Sequence, residues 1–413
     1  MKLSWRVGRR VAVVGAGPGG LSAALALTAK GYDVRIFERH QAPRPLGGAV
    51  LLSVPVLAML RQYGVDLSNF GSYTSTHFRN QKGKLRAALP FNAKVEEQFG
   101  IKGWHYGVLR SSAFSDMLKL VPEGMIVGGY SLKSYDDSGK VIRLHFEDQE
   151  TVDADMLIGA DGVNSVVSKQ AFGDPGLFHV GIRVWLAWCN HFEGVPANTG
   201  WISHSRQHQA SFFPMLHDGK PGFEWWVVEP SSPTAPVPSD PKAHVTNIVS
   251  QFANPMPRFP AHTDFSSQMF RWEVYNRPSL KAWSKGRVVC LGDAVHPVSP
   301  YAAYGMGMAI EDGYFIAKYL DGRDLSDLSQ LKGAFAEYEA QRVAYCNHHV
   351  ELARRLGKLF HRLPAPLAVL RDLVYDNTKL LERTLSKDYL KTAEDFSIAL
   401  TELHVKNVRD QAA

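Results

Sequence analysis

Apolar and polar positions alternate in a legible order from the start of the chain. "VAVVGAGPGGLSAALALTAKGYDVRIFERH", Val11 to His40, predicts a buried strand over Val11–Val14, a tight glycine turn, a helix from Pro18 to Lys30, and a second strand over Asp33–Phe37 that ends at Glu38. The glycines cut the apolar run, so the stretch is neither an export signal nor a membrane span.

Residues 41–75 read as a loop with a flexible backbone at Gly47 and Gly48, then a short helix in "VLAMLRQYGV" that stops at Gly64. "THFRNQKGKLRAALPF" predicts a hairpin turning at Lys82 and Gly83. "WHYGVLRSSAFSDMLKLV" predicts a strand ending at Arg110, a serine cap and an amphipathic helix. "VIRLHFEDQETVDADMLIGADG" supplies two or three strands, the last a buried run to Gly159. Between about 176 and 280, aromatic-rich alternating stretches such as "GIRVWLAWCNHF" and "FEWWVVEP" predict a twisted, mostly antiparallel sheet with one covered face. "GRVVCLGDAVHP" returns to a buried strand, "GMGMAIEDGYFIAKYL" starts a helix, and the rest, from about Leu331, is helical.

The fold class is therefore α/β: a Rossmann-type unit, an inserted mostly antiparallel β-sheet domain and a helical C-terminal region. The expected division gives residues 1–75, 105–175 and 281–330 to a discontinuous nucleotide-binding domain. It gives 76–104 and 176–280 to a substrate-binding sheet domain, and 331–413 to the C-terminal helices.

Composition narrows the function. The 413 residues, 45% hydrophobic and 21% charged, can fill two packed units. Three cysteines without CxxC spacing imply neither a disulfide framework nor a metal cluster, and a reducing cytoplasm is the expected location. A net charge of +6 without a Lys/Arg block argues against nucleic acid, and no lipidation motif or membrane segment is seen.

Chemistry begins at the glycines. Gly15 makes the turn, Gly17 lets a pyrophosphate approach the backbone, Gly20 lets helix and strand pack closely, and the helix N-terminus offers free N–H groups to phosphate. Glu38 falls about twenty residues on, where an acid at a strand tip accepts hydrogen bonds from an adenosine ribose. "LIGADGVNS" then puts Asp161 at a strand end, and "VVCLGDAVHPVSPYAAYGMGMAIED" puts Asp293 at another.

Together the three motifs, in order across most of residues 8–320, resemble the fingerprints of the single-component FAD-dependent aromatic hydroxylases, the class of para-hydroxybenzoate and salicylate hydroxylases. The resemblance implies that Gly15, Gly17, Gly19 and Gly20 line the FAD pyrophosphate and that Glu38, with Arg39 beside it, holds the adenosine ribose. It implies that Arg110 meets the pyrophosphate, that Asp161 and Gly48 belong to the cofactor set, and that Asp293 binds the ribitol chain. Pro300, Gly305 and Met306 would pass beside the isoalloxazine ring, with Pro300 and His296 as the catalytic candidates. Phe213 and Trp226 are the substrate-wall candidates on the aromatic strands. No metal is implied. The implied activity is a monooxygenase that takes electrons from NAD(P)H and hydroxylates a small aromatic or heteroaromatic substrate through a flavin C4a-hydroperoxide. The alternatives are a flavoenzyme of another reaction type on this scaffold, such as an epoxidase or a reductase, and a flavin-binding sensor without turnover. A halogenase is disfavoured, because no Trp-x-Trp-x-Ile-Pro stretch occurs. The motifs encode neither the oligomeric state nor the choice between NADH and NADPH.

Two departures stand out. The family's arginine seven residues after the motif aspartate is Ser168 here, with Lys169 beside it as the expected substitute charge. Tyr304 stands where the salicylate hydroxylase branch commonly has Gln. His204, His208, His217, Arg183 and Arg206 are expected at the surface of the sheet domain.

Overall fold

Val11, Ala12 and Val13 are wholly buried in the middle strand of a six-stranded sheet in the computed structural model, which describes residues 4–44, 47–89, 93–196, 198–299 and 304–405. The sheet runs in the order Ser284–Lys285, Val288–Cys290, Met156–Gly159, Arg10–Val14, Asp33–Glu38, Ile126–Gly128. All neighbours are parallel except Ser284–Lys285, which pairs antiparallel at one edge. Such strands are covered on both faces and therefore read as near-continuous apolar runs. Helix Pro18–Ala29 follows the first strand and lies against helix Gly305–Leu320, where Ser22 Oγ donates to the Ile310 carbonyl at 2.6 Å. A Cβ at Gly313 would come within 2.4 Å of the Ala23 nitrogen, so glycine sets how closely the two helices approach.

The larger sheet has nine strands. Its path is Met269–Asn276, Phe178–Asn190, Lys220–Pro230, Gln209–His217, Thr199–His204, Ser72–Asn80, His105–Leu109, Ala49–Ser53, with Leu85–Ala88 paired onto Ser72–Asn80. The hairpin turning at Gly83 is present, with His77 opposite Ala88. Both faces of this sheet are covered, one by a core that includes Phe212, Trp225 and Phe259, the other by smaller clusters around Phe213 and Val228. The expected single covered face underestimates the burial.

The structure alters several expectations. Ala49–Ser53 is a strand, although the sequence reads it as loop, because its apolar run passes into helix Val54–Tyr63 without a turn signal. Ala49–Ser53 and His105–Leu109, expected in the nucleotide-binding unit, hydrogen-bond into the nine-stranded sheet. The helix after His105–Leu109 starts at Arg110 with no side-chain cap, in place of the expected serine. His204, His217 and Arg183, expected at the surface, are buried. Among the described residues, no helix is long and apolar enough to cross a membrane.

Candidate active site

The C-terminal ends of the parallel strands open into a cleft of about 650 Å³ between the two sheets. Gly15 has φ +102°, and a Cβ there would lie 2.4 Å from the Ala160 carbonyl oxygen, which leaves glycine as the residue that makes the turn. A Cβ on Gly20 would fall 2.1 Å from the Gly15 oxygen, whereas Gly17 has nothing within 4 Å and faces open space. Gly17 and Gly19 line the cleft at the N-terminus of helix Pro18–Ala29. Gly305 and Met306 line its other wall at the N-terminus of helix Gly305–Leu320, which has no side-chain cap. Two helix N-termini thus offer backbone N–H groups to an anionic ligand. Pro300, the remaining ring-side candidate, lies outside the described residues.

Arg110 and Asp293 line the same cleft, and the Arg110 side chain lies beside Gly47. Asp293 sits on a short 3-10 turn, Gly292–Ala294, and is exposed to the cleft. Glu38 is buried and ties the turn to the second strand, accepting from the N–H groups of Ala16 and His40 at 3.0 Å each, while Arg39 beside it is exposed. Asp161 departs from its expected role. Its carboxylate accepts from Ser165 Oγ at 2.5 Å and from the Val166 and Val167 N–H groups at 2.7 and 3.3 Å, capping helix Val166–Phe172, and it does not line the cleft. An aspartate four residues ahead of a serine at a helix start was a signal for this.

Ser168, where the motif has arginine, lies against an arginine from elsewhere in the chain that the sequence did not reveal. Arg277, buried at the end of strand Met269–Asn276, donates to the Ala294 carbonyl at 2.9 Å and to the Val163 carbonyl, and reaches Ser168 Oγ at 3.4 Å. It joins the two aspartate loops. Lys169, the expected substitute, instead forms an exposed pair with Asp174 at 3.2 Å.

His296, expected as a catalytic candidate, lines neither cavity. Its Nε2 stands 2.5 Å from Asp312, which also takes the Gly292 N–H at 2.9 Å and Arg342 Nε at 2.8 Å. Burial alone would discharge the imidazole, but the Asp312 carboxylate against it, with Cys346 close by, holds its pKa well above the usual histidine range. Arg342 also binds Glu311 at 2.8 Å, and Glu311 in turn accepts from Tyr304, whose hydroxyl lies 2.9 Å from Ser53 Oγ. Tyr304 thereby carries this buried network to the cleft wall.

Phe213 and Trp226 project from neighbouring strands with ring centroids 5.6 Å apart. With Leu51 and Tyr304 they line both the large cleft and a second, mainly apolar cavity of about 140 Å³, closed on its far side by helix Leu328–His361. Burial pushes the His105 and His349 pKa values in that second cavity down to about 3 and about 4, so both rings are neutral at pH 7. Glu224 lies in the cleft opposite Gly48. It is fully buried, accepts from the Ala49 N–H at 2.8 Å, and its Oε1 has no partner among the described residues, so burial raises its pKa well above the carboxylate range. Sequence reasoning missed this acid, because its strand reads only as aromatic core.

A glycine turn under a parallel sheet, two helix N-termini on one cleft and a second cavity beneath an inserted sheet are the features of a dinucleotide-binding protein. The chain belongs to the FAD binding domain family, whose model matches residues 9–106 and 131–322. It is 29% identical over 360 residues to 6-hydroxynicotinate 3-monooxygenase of Pseudomonas fluorescens, covering 81% of this chain and 87% of that one. It is also 29% identical over 374 residues to 3-amino-4-hydroxybenzoate 2-monooxygenase of Streptomyces cremeus, covering 88% and 90%. In fold it matches Klebsiella pneumoniae HpxO, solved with FAD and uric acid, with a TM-score of 0.79 at 22% identity over 96% of this chain and 98% of that one. The chain is an FAD-dependent monooxygenase. Its cleft fits FAD: Gly17 carries no side chain where a pyrophosphate would approach, and N–H groups converge from two helices.

Proposed function

We propose that this enzyme hydroxylates a small aromatic or heteroaromatic ring held at the junction of the two cavities, against Phe213, Trp226 and Tyr304. The observation that carries the reading is that these residues and Leu51 belong to both cavities, so a ring seated there faces the cofactor cleft directly. Bound FAD supplies the electron transfer and the activation of O2. The chain's own groups bind, orient and exclude water. Gly17 and Gly19 would let phosphate oxygens approach backbone N–H groups, Gly15 and Gly20 shape the turn that holds them there, and Arg110 would offer a guanidinium. Asp293, exposed to the cleft, would accept from hydroxyls of the ribitol chain. Gly305 and Met306, at the uncapped second helix N-terminus, would offer backbone N–H groups to the anionic part of the flavin. Glu38 fixes the turn and lies at the strand tip expected for ribose. Asp161 and His296 are positioning residues, the first holding the helix after its loop, the second anchoring the loop that carries Asp293. Phe213 and Trp226 form an apolar cover over the reacting ring.

Two measurements test this. Asp293→Ala should weaken FAD binding by about 1–3 kcal/mol, read as loss of yellow colour on dilution. A panel of phenols, indoles and pyridines should contain ligands that speed NAD(P)H oxidation about tenfold or more and emerge hydroxylated. If none changes the oxidation rate and none is converted, the hydroxylase reading falls and a reductase or binding protein takes its place.

A further inference from the structure

The walls of the second cavity are mainly apolar, among them Phe78, Trp104, Ile202, Phe212 and Leu352. Its polar groups are Thr76, Gln209, Tyr304, Tyr345 and three imidazoles. His105 and His349 are the inner imidazoles and are neutral at pH 7, while His348 is exposed. Among the described residues that line this cavity there is no lysine or arginine. A cation behind its wall, Arg342, which lies over the Tyr345 ring, is already held by Glu311 and Asp312 at 2.8 Å each. On the cleft side of the junction the buried acid is Glu224, an acceptor or neutral donor but never a positive partner. Arg110, the single lysine or arginine among the described cleft residues, stands beside Gly47.

An ionised carboxylate moved from water into such surroundings loses its hydration and gains no counter-charge, which is costly, whereas a ring hydroxyl, oxo group or ring N–H finds neutral hydrogen-bonding partners in Thr76, Gln209 and the imidazoles. We infer that the substrate is a neutral hydroxylated or oxo-substituted aromatic or heteroaromatic ring without a carboxylate, selected by the uncharged cavity behind Phe213 and Trp226. This inference rests on the hydroxylase reading above. It separates the chain from the two relatives whose names carry carboxylate substrates, a nicotinate and a hydroxybenzoate.

Matched pairs of ligands test it on the FAD-loaded protein, with the flavin absorbance change giving Kd at about pH 7.5. Suitable pairs are 4-hydroxyquinoline with 4-hydroxyquinoline-2-carboxylate, 2-hydroxypyridine with 6-hydroxynicotinate, and phenol with 3-hydroxybenzoate. The neutral member should bind about tenfold tighter or more. Gln209→Arg, or Thr76→Lys if that variant does not fold, should shift the preference toward the carboxylate by about tenfold. A tighter carboxylate in the unmodified enzyme, or no absorbance change with any neutral member, overturns the inference. If the carboxylates bind tighter and are also hydroxylated, the hydroxylase reading survives and only the substrate class fails. Tight binding of neutral rings that never become hydroxylated leaves the class standing and removes the hydroxylase reading.

Discussion

Arg277 reaches Ser168 from more than a hundred residues away in the chain, with Nη1 at 3.4 Å from Oγ and a second hydrogen bond of 2.9 Å to the Ala294 carbonyl. A guanidinium is thus kept at the joint between the two aspartate loops even though the motif position holds serine. Ser168→Arg should place a second guanidinium in the same buried space and lower stability by about 3 kcal/mol or more. Arg277→Ser should leave the Ala294 and Val163 carbonyls without that donor, costing about 1–3 kcal/mol. The double exchange should recover most of the loss, and chemical denaturation of the four proteins measures the coupling. Simple additivity of the two losses would show that the residues do not share a site.

His296 and Asp312 form a buried ion pair, with Arg342 on the other carboxylate oxygen. Because the histidine pKa is raised on folding, its contribution to stability is complete below about pH 6.5 and is lost as pH rises through the raised value. His296→Ala should cost about 3–5 kcal/mol by leaving Asp312 short of a cation. Its pH–rate profile with substrate should keep the same limbs as the unmodified enzyme, since the imidazole touches neither cavity. A limb that disappears would return His296 to the acid–base role.

The Phe213–Trp226 pair should control coupling. Phe213 is 4% exposed, so Phe213→Ala should cost about 3–5 kcal/mol, and Phe213→Leu is the gentler variant. In either, water reaches the junction, and a growing share of the electrons from NAD(P)H should appear as H2O2 before the rate of reduction falls. Product, peroxide and NAD(P)H measured together decide it. An unchanged product fraction in both variants removes these rings from the substrate wall.

Glu224 offers a pH signature. Its raised pKa means that the stability it contributes as a neutral acid is fully present below about pH 4.5 and drains away as pH climbs through the raised value. Glu224→Gln keeps an acceptor for the Ala49 N–H and cannot ionise. The variant should match the unmodified protein at about pH 5 and exceed it by about 1–3 kcal/mol at about pH 9. Parallel stability curves over that range would mean that the carboxyl stays charged.

Local chemistry made the nucleotide-binding core readable from sequence alone. The turn at Gly15, the open approach at Gly17, the strand ending at Glu38 and the helix beginning at Gly305 depend on backbone freedom and neighbouring apolar runs, which the chain writes in consecutive residues. The aromatic strands announced the inserted sheet for the same reason, and the period-two pattern named Phe213 and Trp226 as wall candidates without saying which face they take. Contacts between distant segments were left to tertiary structure. Asp161 turned out to cap a helix because Ser165 and two N–H groups converge on it. His296 became half of an ion pair because Asp312 and Arg342 arrive on two helices from elsewhere in the chain. Arg277 meets Ser168 because strand order brings residue 277 beside residue 168. Glu224 was hidden in an aromatic strand until Gly48 left room for a carboxyl against the cleft. Pairings of this kind depend on the register and packing of segments far apart in the chain, and no local pattern encodes that distance.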